Sequence, residues 1–239
     1  MDSSARPHCL AGRFIVFEGG DSTGKSTHLR LLAKRLRAER CVDLPGRPGL
    51  VVTREPGGTE LGAQIRQLLL HGGQVAASAE ALLYAADRAQ HVAQVLRPAL
   101  ARGDLVISDR YLDSSIAYQA EGRGLDEGVI REVNAVATGG LEPDLTILLD
   151  ISAGAATARR DRPGAARDRL ESAGSAFHAD VNRRYRELAA VNPERYVVIS
   201  TADSKDAVHE RVWAAVRPLV SVLGPATRAP GESRTEVAG

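Results

Sequence analysis

The sequence predicts an α/β fold built on a parallel five-stranded sheet with helices on both faces. Three observations predict it. Five short apolar, partly β-branched runs, Phe14–Phe17, Leu50–Thr53, Leu105–Ser108, Leu145–Leu149 and Tyr196–Ser200, alternate with helical patterns. A glycine-rich turn follows the first run directly, and an amphipathic helix follows the turn. Residues with chemical use gather past the other runs, at the strand ends where such sheets bind ligands: REPGGT (Arg54 to Thr59) after the second, Asp109, Arg110 and Tyr111 after the third, Asp150 after the fourth.

The first strand, RFIVF, leads into FEGGDSTGKST, Phe17 to Thr27, which carries G-x-x-x-x-G-K-[ST] at Gly19, Gly24, Lys25 and Ser26. Glycines let the backbone turn so that successive N–H groups point at phosphates, and the following helix, with Leu29, Leu32, Ala33 and Leu36 at helical spacing, adds its positive end. Gly19, Gly20, Asp21, Ser22, Thr23, Gly24, Lys25, Ser26 and Thr27 are therefore the expected binding loop for a nucleoside triphosphate, with Lys25 on the β and γ phosphates and Ser26 on Mg²⁺. Lysine is scarce here, found only at 25, 34 and 205 in an arginine-rich chain, so its presence in the loop runs against composition. The fold is thus expected to be of the P-loop NTPase type.

CVDLPGRPGL, Cys41 to Leu50, reads as a surface loop before the second strand. Helical spacing follows at Leu61, Ile65, Leu68 and Leu69, over the long stretch Ala79 to Ala101, over Val129 to Ala137 and over Ala207 to Val220. Between two helical segments, residues 156–174 carry Arg159, Arg160, Arg162, Arg167 and Arg169 around Pro163 and Gly164. The plain reading is a solvated charged face. In a phosphate-binding chain, a short lid that brings positive charge over the transferring group is the better one.

A chain of 239 residues can bury a sizeable core and suits one domain, taken as 13–221, with tails at 1–12 and 222–239. No internal repeat is present. A net charge of +1 gives no sign of a nucleic acid or membrane partner. No apolar run reaches the roughly 18 residues a membrane helix needs, and the first residues lack a signal-peptide core. Cys9 and Cys41 have no metal or redox spacing, which with the rest suggests the cytoplasm.

Two classes compete for such a loop, a nucleotide switch or motor and a small-molecule kinase. A GTP switch reads guanine with N-K-x-D, and none of Asn134, Asn182 and Asn192 is followed by lysine. A motor needs a second carboxylate beside the Mg²⁺-binding aspartate to polarise water. Here Asp109 is followed by Arg110, which suits holding a second phosphate.

The words FEGGDSTGKST, TREPGGTELGAQIRQLLL, ALLYAADRAQHV, ISDRYLDSSIAYQAEGRG and DRLE, in this order, make the chain resemble thymidylate kinase from about Arg13 to Pro218. The resemblance implies phosphorylation of dTMP to dTDP by ATP with Mg²⁺, and a homodimer formed through helices. It implies that Asp21 faces the acceptor, that Arg110 and Arg54 hold its phosphate, and that Asp109 holds Mg²⁺ through water. Tyr84 would stack on the base, Arg88 would donate to a base carbonyl, and Ser114, Ser115, Tyr118 and Gln119 would line base and sugar. Tyr84 could equally be a core aromatic. The loop lacks the basic residue of some relatives, so the transition-state arginine is expected from the lid, with Arg160, Arg162 and Arg167 as candidates and Arg162 preferred. The alternatives are another nucleoside monophosphate or deoxynucleoside kinase and, more distantly, a non-catalytic nucleotide-binding module.

Overall fold

The computed structural model describes residues 11–152, 155–156, 169 and 173–223. Five strands, β1 (Arg13–Glu18), β2 (Leu50–Arg54), β3 (Leu105–Asp109), β4 (Leu145–Asp150) and β5 (Tyr196–Ser200), pair in parallel in the order β2-β3-β1-β4-β5. β1 is central, so both its faces are covered and it is apolar without alternation. Its side chains still divide by parity. Ile15 and Phe17 join Leu29, Leu32 and Leu36 of α1 (Lys25–Ala38) and Val208, Val212 and Val216 of α8 (Lys205–Ser221). Phe14 and Val16 join Val92, Leu96 and Leu100 on the other face.

The long expected helix comprises α3 (Ala77–His91), a π-helical turn (Val92–Leu96) and α4 (Arg97–Ala101). Pro98, with no N–H to donate, sits in the first turn of α4, where none is needed. In α2 (Glu60–His71) the stripe differs from the periodic reading: Ile65, Leu69 and Leu70 are buried, whereas Leu61 and Leu68 face outward. After β3 the chain enters α5 (Leu112–Ser115), which widens into a π-helix (Ile116–Gly122), and α6 (Glu127–Thr138) follows. The helical segment beyond the arginines is α7 (Ser175–Val191), which buries His178, Val181, Tyr185 and Leu188 at helical spacing.

Both tail boundaries fall slightly inside folded structure. The Gly12 N–H bonds to Leu100 O at 3.0 Å, and Leu223 packs against the core beside α8. Asp150 at the end of β4 does not join the other strand-end residues, because it pairs with Arg186 of α7 at 3.0 Å.

Candidate active site

The loop after β1 takes a backbone path that only glycine follows easily. Gly19 has φ of +135°, and a Cβ there would lie 2.5 Å from Leu149 O; Gly24, at φ of +92°, opens α1. Thr23 Oγ1 closes the loop on Gly20 O at 3.0 Å, and Lys25 Nζ lies inside it, donating to Gly19 O at 3.0 Å and Gly20 O at 2.8 Å. Burial, then the Arg110 charge, pushes the Lys25 amine down to about 8. A bound polyphosphate would reverse that, since negative charge favours the ammonium. Ser26 Oγ donates to Asp109 Oδ2 at 2.7 Å, a pair of hard oxygen ligands.

Asp21, Ser22, Gly24, Lys25, Ser26 and Thr27 share one cavity of ≈ 350 Å³ with Arg54, Asp109 and Arg110. Register brings the last three together, as Arg54 pairs with Asp109 across β2 and β3, and Asp109 with Phe17 across β3 and β1. Arg110 follows β3 in a left-handed conformation, φ 73°, which a non-glycine residue holds at a cost in strain. The turn aims its guanidinium back over the loop. Nη2 donates to Asp21 Oδ1 at 2.6 Å and Tyr118 Oη at 3.0 Å, and Nη1 to Gly19 O, Ser114 Oγ and Tyr185 Oη at 3.2 Å each. Burial pushes the Asp21 carboxyl up, but Arg110, Lys25 and the Tyr118 hydroxyl outweigh it and hold the group below the ordinary range. The exposed Arg54 side chain makes no hydrogen bond to the described residues and is available to an anion.

Tyr84, Ser114, Ser115, Tyr118 and Gln119 also line the cavity, with Glu55 and Pro56 of the REPGGT stretch and with Arg66 and Leu70, which sequence reasoning did not single out. Tyr84 packs in the cluster of Ile65, Leu69 and Tyr185 and also lines the cavity. Arg88 is 1 % exposed and is not among the residues lining the cavity; its guanidinium donates to Glu55 Oε2 at 2.8 Å, Ser115 Oγ at 2.9 Å, Tyr111 O at 2.9 Å and Asn134 Oδ1. Four of its five N–H groups are thus engaged, one on Nη2 is left over, and the side chain is buried beside Ser115. The candidate lid arginines Arg159, Arg160, Arg162 and Arg167 lie outside the described residues. Arg169 is described, and donates to Leu69 O at 2.9 Å and Glu80 Oε2 at 2.5 Å.

Glu18 is the residue that sequence reasoning missed most plainly, since it ends β1 just before the loop motif begins at Gly19. Fully buried, it accepts from Tyr111 N at 2.9 Å, Ser114 N at 3.2 Å, Ser114 Oγ at 2.7 Å and Tyr185 Oη at 2.9 Å, thus holding two of the groups that hold Arg110. Burial, then the Asp113 charge, raises it from 4.5 to about 7, against Arg110 and its own hydrogen bonds. A proton bound more tightly folded than unfolded makes stability fall as pH rises from 4.5 to about 7. In Glu18→Gln this component is absent, so the melting temperature should decline less than that of the native chain between about pH 5 and 8. An identical pH slope in both proteins would count against it.

A loop that cradles a polyphosphate thus faces, across one cavity, a guanidinium organised for a second anion. Glu55, a carboxylate in that wall, is committed to Arg88 and His91 and is not set to activate water. Bringing two phosphates together while water is kept out is the task of a phosphate-loop kinase whose acceptor is itself a phosphate, a nucleoside monophosphate kinase. The family model for thymidylate kinase matches residues 17–212. A thymidylate kinase of Desulforudis audaxviator is 47 % identical over 213 residues, 88 % of this chain and 93 % of that protein. One from Leifsonia xyli subsp. xyli is 54 % identical over 195 residues, 80 % of this chain and 88 % of the other. The crystal structure of thymidylate kinase from Ehrlichia chaffeensis superimposes with a TM-score of 0.69 at 31 % identity, covering 86 % of this chain and 98 % of that one. The chain belongs to the thymidylate kinase family, whose function is the phosphorylation of dTMP with ATP as the donor.

Proposed function

We propose that this chain converts dTMP and ATP to dTDP and ADP in one in-line step, an oxygen of the dTMP phosphate attacking the γ phosphorus as ADP leaves. The observation that carries this is the placement of Arg110 and Asp21 opposite Lys25 in one cavity. Lys25 and the loop N–H groups would hold the triphosphate, and Arg110 with Arg54 the acceptor phosphate, so that positioning and charge supply most of the rate. Asp21 would face the acceptor sugar. Ser26 and Asp109 fit Mg²⁺, an oxygen-seeking ion that keeps most of its ligands from water and substrate phosphates. When bound, Mg²⁺ would offset charge on the β and γ oxygens. Arg162, in a segment outside the described residues, stays the proposed transition-state arginine.

ADP release from ATP and Mg²⁺ across dTMP, dUMP, dCMP, AMP, GMP and thymidine tests this reading. A strong preference for dTMP is expected; preference for another acceptor, or release that needs none, would overturn it. Tyr84→Ala should raise KM for dTMP by about fivefold or more while moving KM for ATP little, because stacking on an aromatic is worth on the order of 1 kcal/mol. Equal effects on both substrates would mean that Tyr84 supports the wall from behind.

A homodimer is part of the proposal. Leu61 and Leu68 of α2, Leu82 of α3, and Val129 and Val136 of α6 are exposed, Leu68 by 56 % and Val136 by 87 %. The seven-residue spacings in α2 and α6 put each pair on one helix face, and α3 packs against both helices. Such a patch suits a second copy of the chain. Sedimentation equilibrium should give twice 25.4 kDa, and Leu68→Glu combined with Leu82→Glu should give a monomer. A native monomer would remove this part. Among the described residues no helix is long and apolar enough to cross a membrane, and the cytoplasm, where ATP is at hand, is the proposed location.

A further inference from the structure

The REPGGT turn after β2 is gripped from one side by two residues of α3. Asp87 and His91, four positions apart and each 0 % exposed, share one face of that helix. Asp87 Oδ1 accepts from Gly57 N at 3.0 Å, and its Oδ2 is buried with no partner among the described residues. Burial, then the Glu55 charge, raises this carboxyl from 3.8 to about 6. An aspartate so placed is costly to bury, and the hydrogen bond it makes is to the turn. His91 Nδ1 donates to Glu55 Oε1 at 2.8 Å and its Nε2 pairs with Thr53 Oγ1 at 2.7 Å, so the ring spans the residues on either side of Arg54. The turn rests directly on that ring, since a Cβ on Gly58 would lie 2.6 Å from its Cδ2. Pairing with Asp109 fixes the Arg54 backbone, but the side chain lines the cavity with no hydrogen bond to the described residues. It runs beside Gly57, where a Cβ would lie 3.7 Å from Arg54 Nε, so the turn sets its direction.

We propose that Asp87 and His91 are positioning residues for the acceptor phosphate: they fix the turn from Thr53 to Gly58 so that Arg54 reaches into the cavity beside the phosphate loop. Neither is among the residues lining that cavity, and each acts through Arg54. A long cationic side chain loses rotamer freedom when it grips an anion, and a turn that already limits the stem makes the loss smaller. Asp87 needs only an accepting oxygen for this task, whereas His91 needs both ring nitrogens. The proposal rests on Arg54 holding the acceptor phosphate and deepens that reading.

The test is a double-mutant cycle in the full chain. It measures kcat/KM for dTMP at saturating ATP, KM for ATP and melting temperatures for Asp87→Ala, His91→Ala, Arg54→Ala and each of the first two combined with the third. Alone, Asp87→Ala and His91→Ala should each lower kcat/KM for dTMP at least about fivefold, with KM for ATP little changed. Combined with Arg54→Ala they should add almost nothing, because the group they position is gone. The full loss persisting in the Arg54→Ala background, an equal loss toward ATP, or no loss in the folded single variants overturns the proposal and leaves the dTMP kinase reading intact. Asp87→Asn, which keeps an oxygen for Gly57 N, should stay within about twofold of the native chain, and a loss as large as that of Asp87→Ala overturns the role given to that bond. Should the alanine variants not fold, Thr53→Val decides. Valine has the shape of threonine but gives His91 no partner, so kcat/KM for dTMP should fall about threefold, and an unchanged value overturns the proposal. Native values from Arg54→Ala overturn the reading of Arg54 and this proposal with it, while absence of dTMP turnover in the native chain overturns the proposed function itself.

Discussion

Lys25→Ala is expected to lower kcat by roughly a hundredfold to a thousandfold, the cost of removing one preorganised donor from a developing anion. The melting temperature should barely move. Lys25 reaches only two carbonyls of its own loop, and its amine, pushed down to about 8, is held charged less readily in the fold than in the unfolded chain. Replacing it therefore removes a desolvated charge along with two hydrogen bonds, and the two losses offset. Single-turnover kinetics beside thermal melts would decide. Retained turnover would take Lys25 out of the chemistry, and an unfolded variant would make it a structural tether.

Arg110→Lys is the second large effect. Arginine here makes five hydrogen bonds from one planar fork, to Asp21, Tyr118, Ser114, Tyr185 and Gly19 O. Lysine keeps the charge but has three donors at one point and cannot span those directions. kcat/KM for dTMP should drop by roughly a hundredfold or more, with KM for ATP changed far less. The left-handed backbone at Arg110 is unrelieved by lysine, so stability should fall only through the lost contacts. Comparable losses toward both substrates would show that the residue organises the loop as a whole.

These expectations draw on two kinds of information. The five strands could be placed within a residue or two of their ends because a central parallel strand is buried on both faces, and continuous apolarity is a local signal. The phosphate loop was equally readable, since its function depends on backbone turns that Gly19 and Gly24 permit and on Lys25 and Ser26 at adjoining positions. Arg110 stood out because a cation follows the aspartate that ends β3. The outward face of α2 was less readable, because Leu61 and Leu68 share helical spacing with truly buried neighbours and only packing separates them.

What no local pattern held was the set of charges behind the site. Glu18 and Tyr185 meet across 167 positions, Arg169 and Glu80 across 89, Gln119 and Glu80 across 39, and Arg88 and Glu55 across 33. Each residue alone resembles an ordinary polar side chain on a strand end or helix. Sequence alone therefore determined which elements form and which loop binds phosphate, because strand, turn and helix preferences act between near neighbours. Only the tertiary structure decided that Arg88 is buried against Glu55 and Gln119 against Glu80, because the cost of an unpaired buried ion is met by partners that the fold brings together from distant segments.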